Sequence, residues 1–210
     1  MDACHNLAYA SIRQGRVADA IAYYDRALAL QPDLAATDLA FGSWLSNQDR
    51  LDEALAFCQQ GIQKYPASAG AHCNLAIVLH KQGKIQDAIA CYQQALSLKP
   101  DFPEALNNLA KAFEEAGKTT EAMDCYNRAI ELKPGYVNSL NGLGNILHQS
   151  GQFAGAVTYY DRAVKFNIAN PESHLNLALA LLLAGDFQRG FTEYESRLVV
   201  EKKQFPQYNF

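Results

Sequence analysis

Residues 71–100, AHCNLAIVLHKQGKIQDAIACYQQALSLKP, read as two helices joined by a turn. Leu75, Ala76 and Leu79 lay an apolar stripe along the first half, and Ile85, Ala88, Ile89 and Tyr92 answer it along the second. That is the three- and four-residue spacing of a helix face. Gly83 stands where the chain must turn and Pro100 closes the unit. Glycine reaches the left-handed conformation that ends a helix, and proline does not continue one. Small Ala76 and Ala88 let the two backbones approach where a longer side chain would wedge them apart.

The unit recurs. Gly83, Gly117, Gly151 and Gly185 lie 34 residues apart, and Gly15 extends the series with Asp49 filling the gap. Pro32, Pro66, Pro100 and Pro134 share the period, as do Ala20, Ala54, Ala88, Ala122 and Ala156. A fourth series is Tyr24, Cys58, Tyr92, Tyr126, Tyr160 and Tyr194. One hairpin cannot bury both its faces, so stability has to come from stacking copies. The pattern predicts an all-α chain of twelve helices in six antiparallel pairs, one pair per period.

The spacing, with its L-(G/A), G, A-x3-Y, A and P positions, resembles the tetratricopeptide repeat. That resemblance implies a right-handed α-solenoid of helix-turn-helix repeats. Six are expected over 1–204 (1–34, 35–68, 69–102, 103–136, 137–170 and 171–204), with 205–210 a tail that opens a linker to a further C-terminal domain. The Trp of the family's first helix is missing, and Cys4, Asp38, His72, Leu106, Leu140 and His174 stand there.

Composition agrees with a folded helical chain. Of the 210 residues 49% are hydrophobic and 19% charged, with a formal charge of −4. Acidic and basic residues are interspersed, so no basic stripe offers a footprint for nucleic acid or an anionic membrane. The longest apolar run, LALALLLAG at 177–185, is too short to span a bilayer. MDACHNLAYA at the start lacks the basic flank of a signal peptide, and a cytoplasmic location is expected. Five cysteines, Cys4, Cys58, Cys73, Cys91 and Cys125, form no CxxC pair and read as small packing residues.

No nucleophile elbow, P-loop, HExxH or dinucleotide fingerprint occurs. The glycines of GNILHQSG at 144–151 have the wrong spacing. Glu114 and Glu115 are adjacent on a helix and point in different directions. No catalytic residue, cofactor or metal ligand is expected in this segment, and its histidines read as polar groove residues.

By the same resemblance the first helices line a concave surface, with repeat positions 2, 5, 6, 9, 12 and 13 facing a bound segment. Position 6 holds Asn6, Ala40, Asn74, Asn108, Gly142 and Asn176. Asn is a mediocre helix former, so its recurrence at one register calls for a reason. An amide offers a donor and an acceptor, matching the two polar groups of an extended peptide backbone. The row resembles the asparagine ladder of the O-linked N-acetylglucosamine transferase repeats, which grips main chain. The other reading is that these amides solvate the helix or bond locally. Asn107, Lys111, Asn141 and Asn145 would flank the row, with His5, Cys73, His80 and His148. The expected function is therefore a protein-interaction scaffold that takes an extended peptide or partner protein. Four hydrogen bonds at about 0.5–1.5 kcal/mol each fall short of an association cost on the order of 4–15 kcal/mol, so apolar anchors are also needed. The family's carboxylate clamp requires paired cations, and His5, Tyr9, Ala40, Gly70 and Asn74 stand in their places.

GDFQRGFTEYESR, residues 185–197, keeps the register through Gly185, Gly190 and Tyr194 but sets Arg197 where Ala27, Ala95, Ala129 and Ala163 precede it. It resembles a junction of bacterial multi-repeat proteins in which a helical array precedes a glycosyltransferase-like domain. The alternative function is thus the substrate-recognition half of a larger sugar-transferring enzyme, or a self-associating adaptor. EKKQFPQYNF at 201–210 loses the helical periodicity of apolar residues. SHLNLALALLLAG at 173–185 is apolar nearly all round. Leu175, Leu179, Leu182 and Leu183 are therefore expected to form an interface, with a further domain, the residues from Val199 onward, or a second copy.

Overall fold

The computed structural model describes residues 51–204 and isolated positions among residues 1–26. Among the described residues every regular element is a helix: α1 (Leu51–Lys64), α2 (Ala69–Lys81), α3 (Ile85–Leu98), α4 (Pro103–Glu115), α5 (Thr119–Leu132), α6 (Val137–Gln149), α7 (Phe153–Phe166), α8 (Pro171–Leu183) and α9 (Phe187–Gln204). Helices α2, α4, α6 and α8 start 34 residues apart, and so do α1, α3, α5, α7 and α9. The chain is all-α and of the helical solenoid class. The helices expected before Leu51 and the tail 205–210 lie outside the described residues.

The turn at Gly83 shows how each hairpin is made. Gly83 has φ +74°, its N–H donates to the carbonyl of His80, and the N–H of Lys84 donates to that of Leu79. This pair of bonds satisfies the last carbonyls of α2 and reverses the chain within three residues. The same two bonds recur from Gly151 to His148 and from Gln152 to Leu147. Helix starts are specified locally as well. Ser68 Oγ accepts from the Ala71 N–H at 3.2 Å. Asn170 Oδ1 accepts from the N–H groups of Glu172 and Ser173, ahead of a proline at the first turn of α8.

The chain divides into two compact units, residues 1–116 and 117–210. In the first, α1 packs on α2, α2 on α3 and α3 on α4, while α2 also touches α4. In the second, each of α5 to α9 packs on its neighbour and α6 also touches α8. First helices of successive repeats thus meet one another within each unit, whereas the second helices α5, α7 and α9 do not. In each unit the first helices are thus the row in direct mutual contact. Tyr92, Tyr126 and Tyr160 are buried from the second helices, as are Ala88, Ala122, Ala156, Ala95, Ala129 and Ala163.

Helix α9 runs on through Gln204. Glu201, Lys202, Lys203 and Gln204 are all good helix formers, so the helix persists where the apolar periodicity has lapsed. The Arg197 side chain lies outside the described residues.

Candidate functional site

The first unit carries the more coherent part of the expected groove. Asn74 on α2 and Asn108 on α4 share a register on two first helices that touch. Asn74 is only 2% exposed, and its Oδ1 has no hydrogen-bond partner. A buried acceptor left unmatched costs about 1–3 kcal/mol, so this oxygen marks a place where the fold alone does not complete the bonding. Asn108 is half-buried, and its Oδ1 accepts from the neighbouring Asn107 Nδ2 at 3.3 Å. Lys111 follows one turn later and is exposed.

A residue that sequence reasoning passed over closes one end of this face. Glu115 Oε1 lies 3.0 Å from His80 Nε2, joining the last turns of α2 and α4. The His80 ring also meets Tyr92 edge-on, with centroids 6.5 Å apart. The spacing of 35 residues between His80 and Glu115, one more than the period, was the available signal.

The second unit uses its amides differently. Asn141 Nδ2 donates to Ser173 Oγ at 3.0 Å, tying α6 to α8 within the buried interior. Asn145 Oδ1 accepts from the Tyr160 hydroxyl at 2.6 Å. Both amides are engaged in holding the unit together. Asn176 is half-buried on α8. His148 meets Phe153 edge-on at 5.5 Å, and its Nε2 is buried without a partner. Asn6 lies outside the described residues.

Gly142 explains the interruption of the asparagine row. A Cβ built there would fall 2.4 Å from Tyr126 Cζ, so the ring of α5 occupies the space a side chain would need. Replacing Gly142 with Asn would gain up to about 0.5 kcal/mol of helix propensity, but overpacking costs about 1–3 kcal/mol. The clash wins. Denaturant unfolding of Gly142→Asn is expected to show a net loss of about 1–2 kcal/mol, and an unchanged midpoint would mean that the Tyr126 ring moves aside freely.

The four leucines expected to form an interface are divided by the structure. Leu179 and Leu183 are exposed, while Leu175 and Leu182 are half-buried. Leu182 belongs to the α8–α9 hairpin: a Cβ on Gly190 would fall 2.7 Å from its Cδ2.

The described cysteines are poor nucleophiles. Cys58 and Cys73 are buried, and Cys91 and Cys125 are half-buried. Burial pushes the Cys73 and Cys91 thiols up, and that of Cys125 up to about 11, so all three stay protonated near neutrality. Cys4 lies outside the described residues. Among the described residues no group of three or more His, Cys, Asp or Glu side chains is placed to hold a metal ion. No described helix is long and apolar enough to cross a membrane.

Family profiles described as TPR repeat match residues 78–117 and 144–185, and profiles described as tetratricopeptide repeat match 1–34, 57–90, 103–136 and 125–158. No curated protein matches the chain. Among solved structures the chain is similar to MamA, at 20% identity and a TM-score of 0.69 over 80% of this chain and 97% of that one. It is also similar to PilF of Pseudomonas aeruginosa, at 21% identity and a TM-score of 0.72 over 79% of this chain and 76% of that one. A third is YrrB, described as a TPR protein with an unusual peptide-binding site, at 15% identity and a TM-score of 0.60 over 84% and 91%.

Proposed function

We propose, from the premise that this chain belongs to the tetratricopeptide repeat family, that it is a non-catalytic scaffold whose row of first helices binds an extended polypeptide. The observation that carries this reading is the buried, unpartnered Oδ1 of Asn74, on a first helix and in register with Asn108 on the next. A peptide laid along α2 and α4 would present a backbone N–H every second residue on one side, the donor this oxygen lacks. Asn108 would use its amide in the same way from the next repeat, and exposed Lys111 would favour an acidic side chain beside it. YrrB, which shares the fold, is described as having a peptide-binding site.

The test uses a peptide selected from a random display library against this chain, titrated calorimetrically. Asn74→Ala with Asn108→Ala is expected to weaken it by about 1–3 kcal/mol, or roughly 5- to 150-fold, with helicity retained. Asn145→Ala, whose amide is already held by Tyr160, serves as the control. Equal affinities for the double variant and the parent would leave the asparagines as helix-solvating residues only.

A second reading rests on GDFQRGFTEYESR, which resembles a junction to a glycosyltransferase-like domain. On it, the same groove presents polypeptide to a catalytic domain encoded after Phe210. Reading the gene past that codon decides it, because a stop or an unrelated domain removes this reading.

A further inference from the structure

In the second unit α5, α7 and α9 lean on first helices and not on one another, so side chains decide what lies between successive second helices. Between α7 and α9 it is a bridge. Arg189 Nη2 donates to the two carboxylate oxygens of Asp161 at 3.0 and 3.1 Å, and its Nη1 lies 3.7 Å from Asp186. One period earlier the same two registers hold Gly155 and Asn127. Glycine has no side chain to reach across with, so that bridge cannot form. Between α5 and α7 the structure instead has an open cleft of about 550 Å³.

Tyr159 and Arg162 of α7 line this cleft with Asp124, Arg128 and Glu131 of α5, together with the buried Ile130. Its size falls in the range of ligand sites. The Arg162 guanidinium lies over the Tyr159 ring, 6.0 Å from its centre, an attraction that holds it at the α7 wall. Two carboxylates and two guanidiniums leave the lining without net charge. A uniformly acidic occupant would confront Asp124 and Glu131, and a uniformly basic one Arg128 and Arg162. Like charges brought together in this way oppose binding. An apolar occupant would cover charged groups without pairing them. What fits is a segment that carries both signs. On α5 the order acid, base, acid at Asp124, Arg128 and Glu131 covers about 10 Å of helix. That is the reach of three residues of extended chain at about 3.3 Å each.

We propose that the α5–α7 cleft is a second binding site, which takes a polypeptide segment carrying an acidic and a basic side chain within three residues. The acidic side chain accepts from Arg162. The basic one lays its methylenes on Ile130 and the Tyr159 ring and brings its head to Asp124 or Glu131. Between α7 and α9 the chain makes the same kind of contact for itself, with Arg189 and Asp161; between α5 and α7 a partner supplies it. The cleft is built from second helices alone, so it stands or falls independently of the asparagine groove on the first helices.

Amide chemical shifts of the isotope-labelled chain, titrated with end-capped tripeptides, test the proposal. The probes are the two mixed orders, Glu-Ala-Arg and Arg-Ala-Glu, and the like-charged Glu-Ala-Glu and Arg-Ala-Arg. At least one mixed peptide is expected to give saturable shifts along α5 and α7 at millimolar concentration, with each like-charged peptide at least about tenfold weaker. Arg162→Gln is expected to weaken the mixed peptide about tenfold. Asn127→Asp with Gly155→Arg transplants the bridge of the next helix pair into the cleft. A Cβ at Gly155 comes no nearer than 3.3 Å to Leu147 Cδ1, so the helix accommodates the change. This double variant is expected to unfold at higher denaturant than the parent and to lose the peptide. Asn74→Ala with Asn108→Ala is expected to keep parental shifts, which separates this site from the groove. The proposal is overturned if neither mixed peptide gives saturable shifts, or if the shifts map to the first helices. Equal binding of the like-charged peptides overturns it too, as does parental affinity in Arg162→Gln or in the bridged variant.

Discussion

Replacing Tyr160 with Ala is expected to destabilise the chain by about 3–5 kcal/mol, the range for emptying an aromatic site in a packed core. The ring is buried against Ala156, Leu177, Ala180 and Leu181, so it joins two successive repeats and not only one hairpin. It also fills space that its own repeat leaves for it. A Cβ on Gly144 would fall 2.4 Å from Tyr160 Cε1, whereas the equivalent residues Ala76, Ala110 and Ala178 carry that carbon. The hydroxyl donates to Asn145 Oδ1 at 2.6 Å. Burial pushes the phenol up to about 12, so it remains a neutral donor through the range in which stability would be measured.

Tyr160→Phe separates the two contributions. It keeps the ring and removes only the hydroxyl, and Asn145 is half-buried, so water can reach the abandoned acceptor. The expected cost is about 0.5–1.5 kcal/mol. Guanidinium unfolding gives both numbers. Hydrogen exchange should place the Ala variant's loss in α7 and α8 before the rest of the second unit, since repeat arrays couple through nearest neighbours. If the Phe variant lost as much as the Ala variant, the hydroxyl and not ring packing would be holding the repeats together.

The addresses of the described helices were legible in the sequence because their determinants are local and repeated. A glycine with φ near +74° at residues 83, 117 and 151 ends a helix wherever it is placed, and the alanine and tyrosine registers then set which face is buried. The fate of the amides was not legible. Asn74, Asn141 and Asn145 look alike on a helical wheel. One is left with an unmatched oxygen, one bonds Ser173 across 32 residues, and one bonds Tyr160 on the next helix. Those outcomes depend on which small or hydroxylated residue the neighbouring helix presents, and a period of 34 does not encode it. Gly142 was legible as a gap in the asparagine row, yet its cause, the Tyr126 ring, comes from the preceding helix.

The position where the family carries Trp shows the same dependence on context, and it yields a prediction of nearly equal size. His72 and His174 occupy that register on α2 and α8. Each sets its Nε2 3.0 Å from the carbonyl of the residue six before it, Pro66 and Ile168. A carbonyl only accepts, so in both rings Nε2–H is the donor, and it ties the turn between repeats to the helix that follows. The resemblance ends there. The Nδ1 of His174 lies 2.6 Å from Glu193 Oε2 on α9, with the histidine side chain 5% exposed and the carboxylate side chain 24%. His174 thus fastens three segments, the α7–α8 turn, α8 and α9. His72 has no described counterpart to Glu193 and holds only its turn.

His174→Ala removes both of these bonds and leaves a mostly buried carboxylate without its partner. The expected loss is about 2–4 kcal/mol. His72→Ala, at a less buried ring with one bond, should lose about 0.5–1.5 kcal/mol. Glu193→Gln keeps an acceptor beside Nδ1 and should fall between them. The comparison is internal to one register of one protein, so differences in helix propensity between His and Ala cancel. Equal losses at positions 72 and 174 in denaturant unfolding would show that the Glu193 contact contributes nothing. A larger loss at 174 that Glu193→Gln reproduces in part would identify the histidine–carboxylate bond as what holds the last helix onto the array.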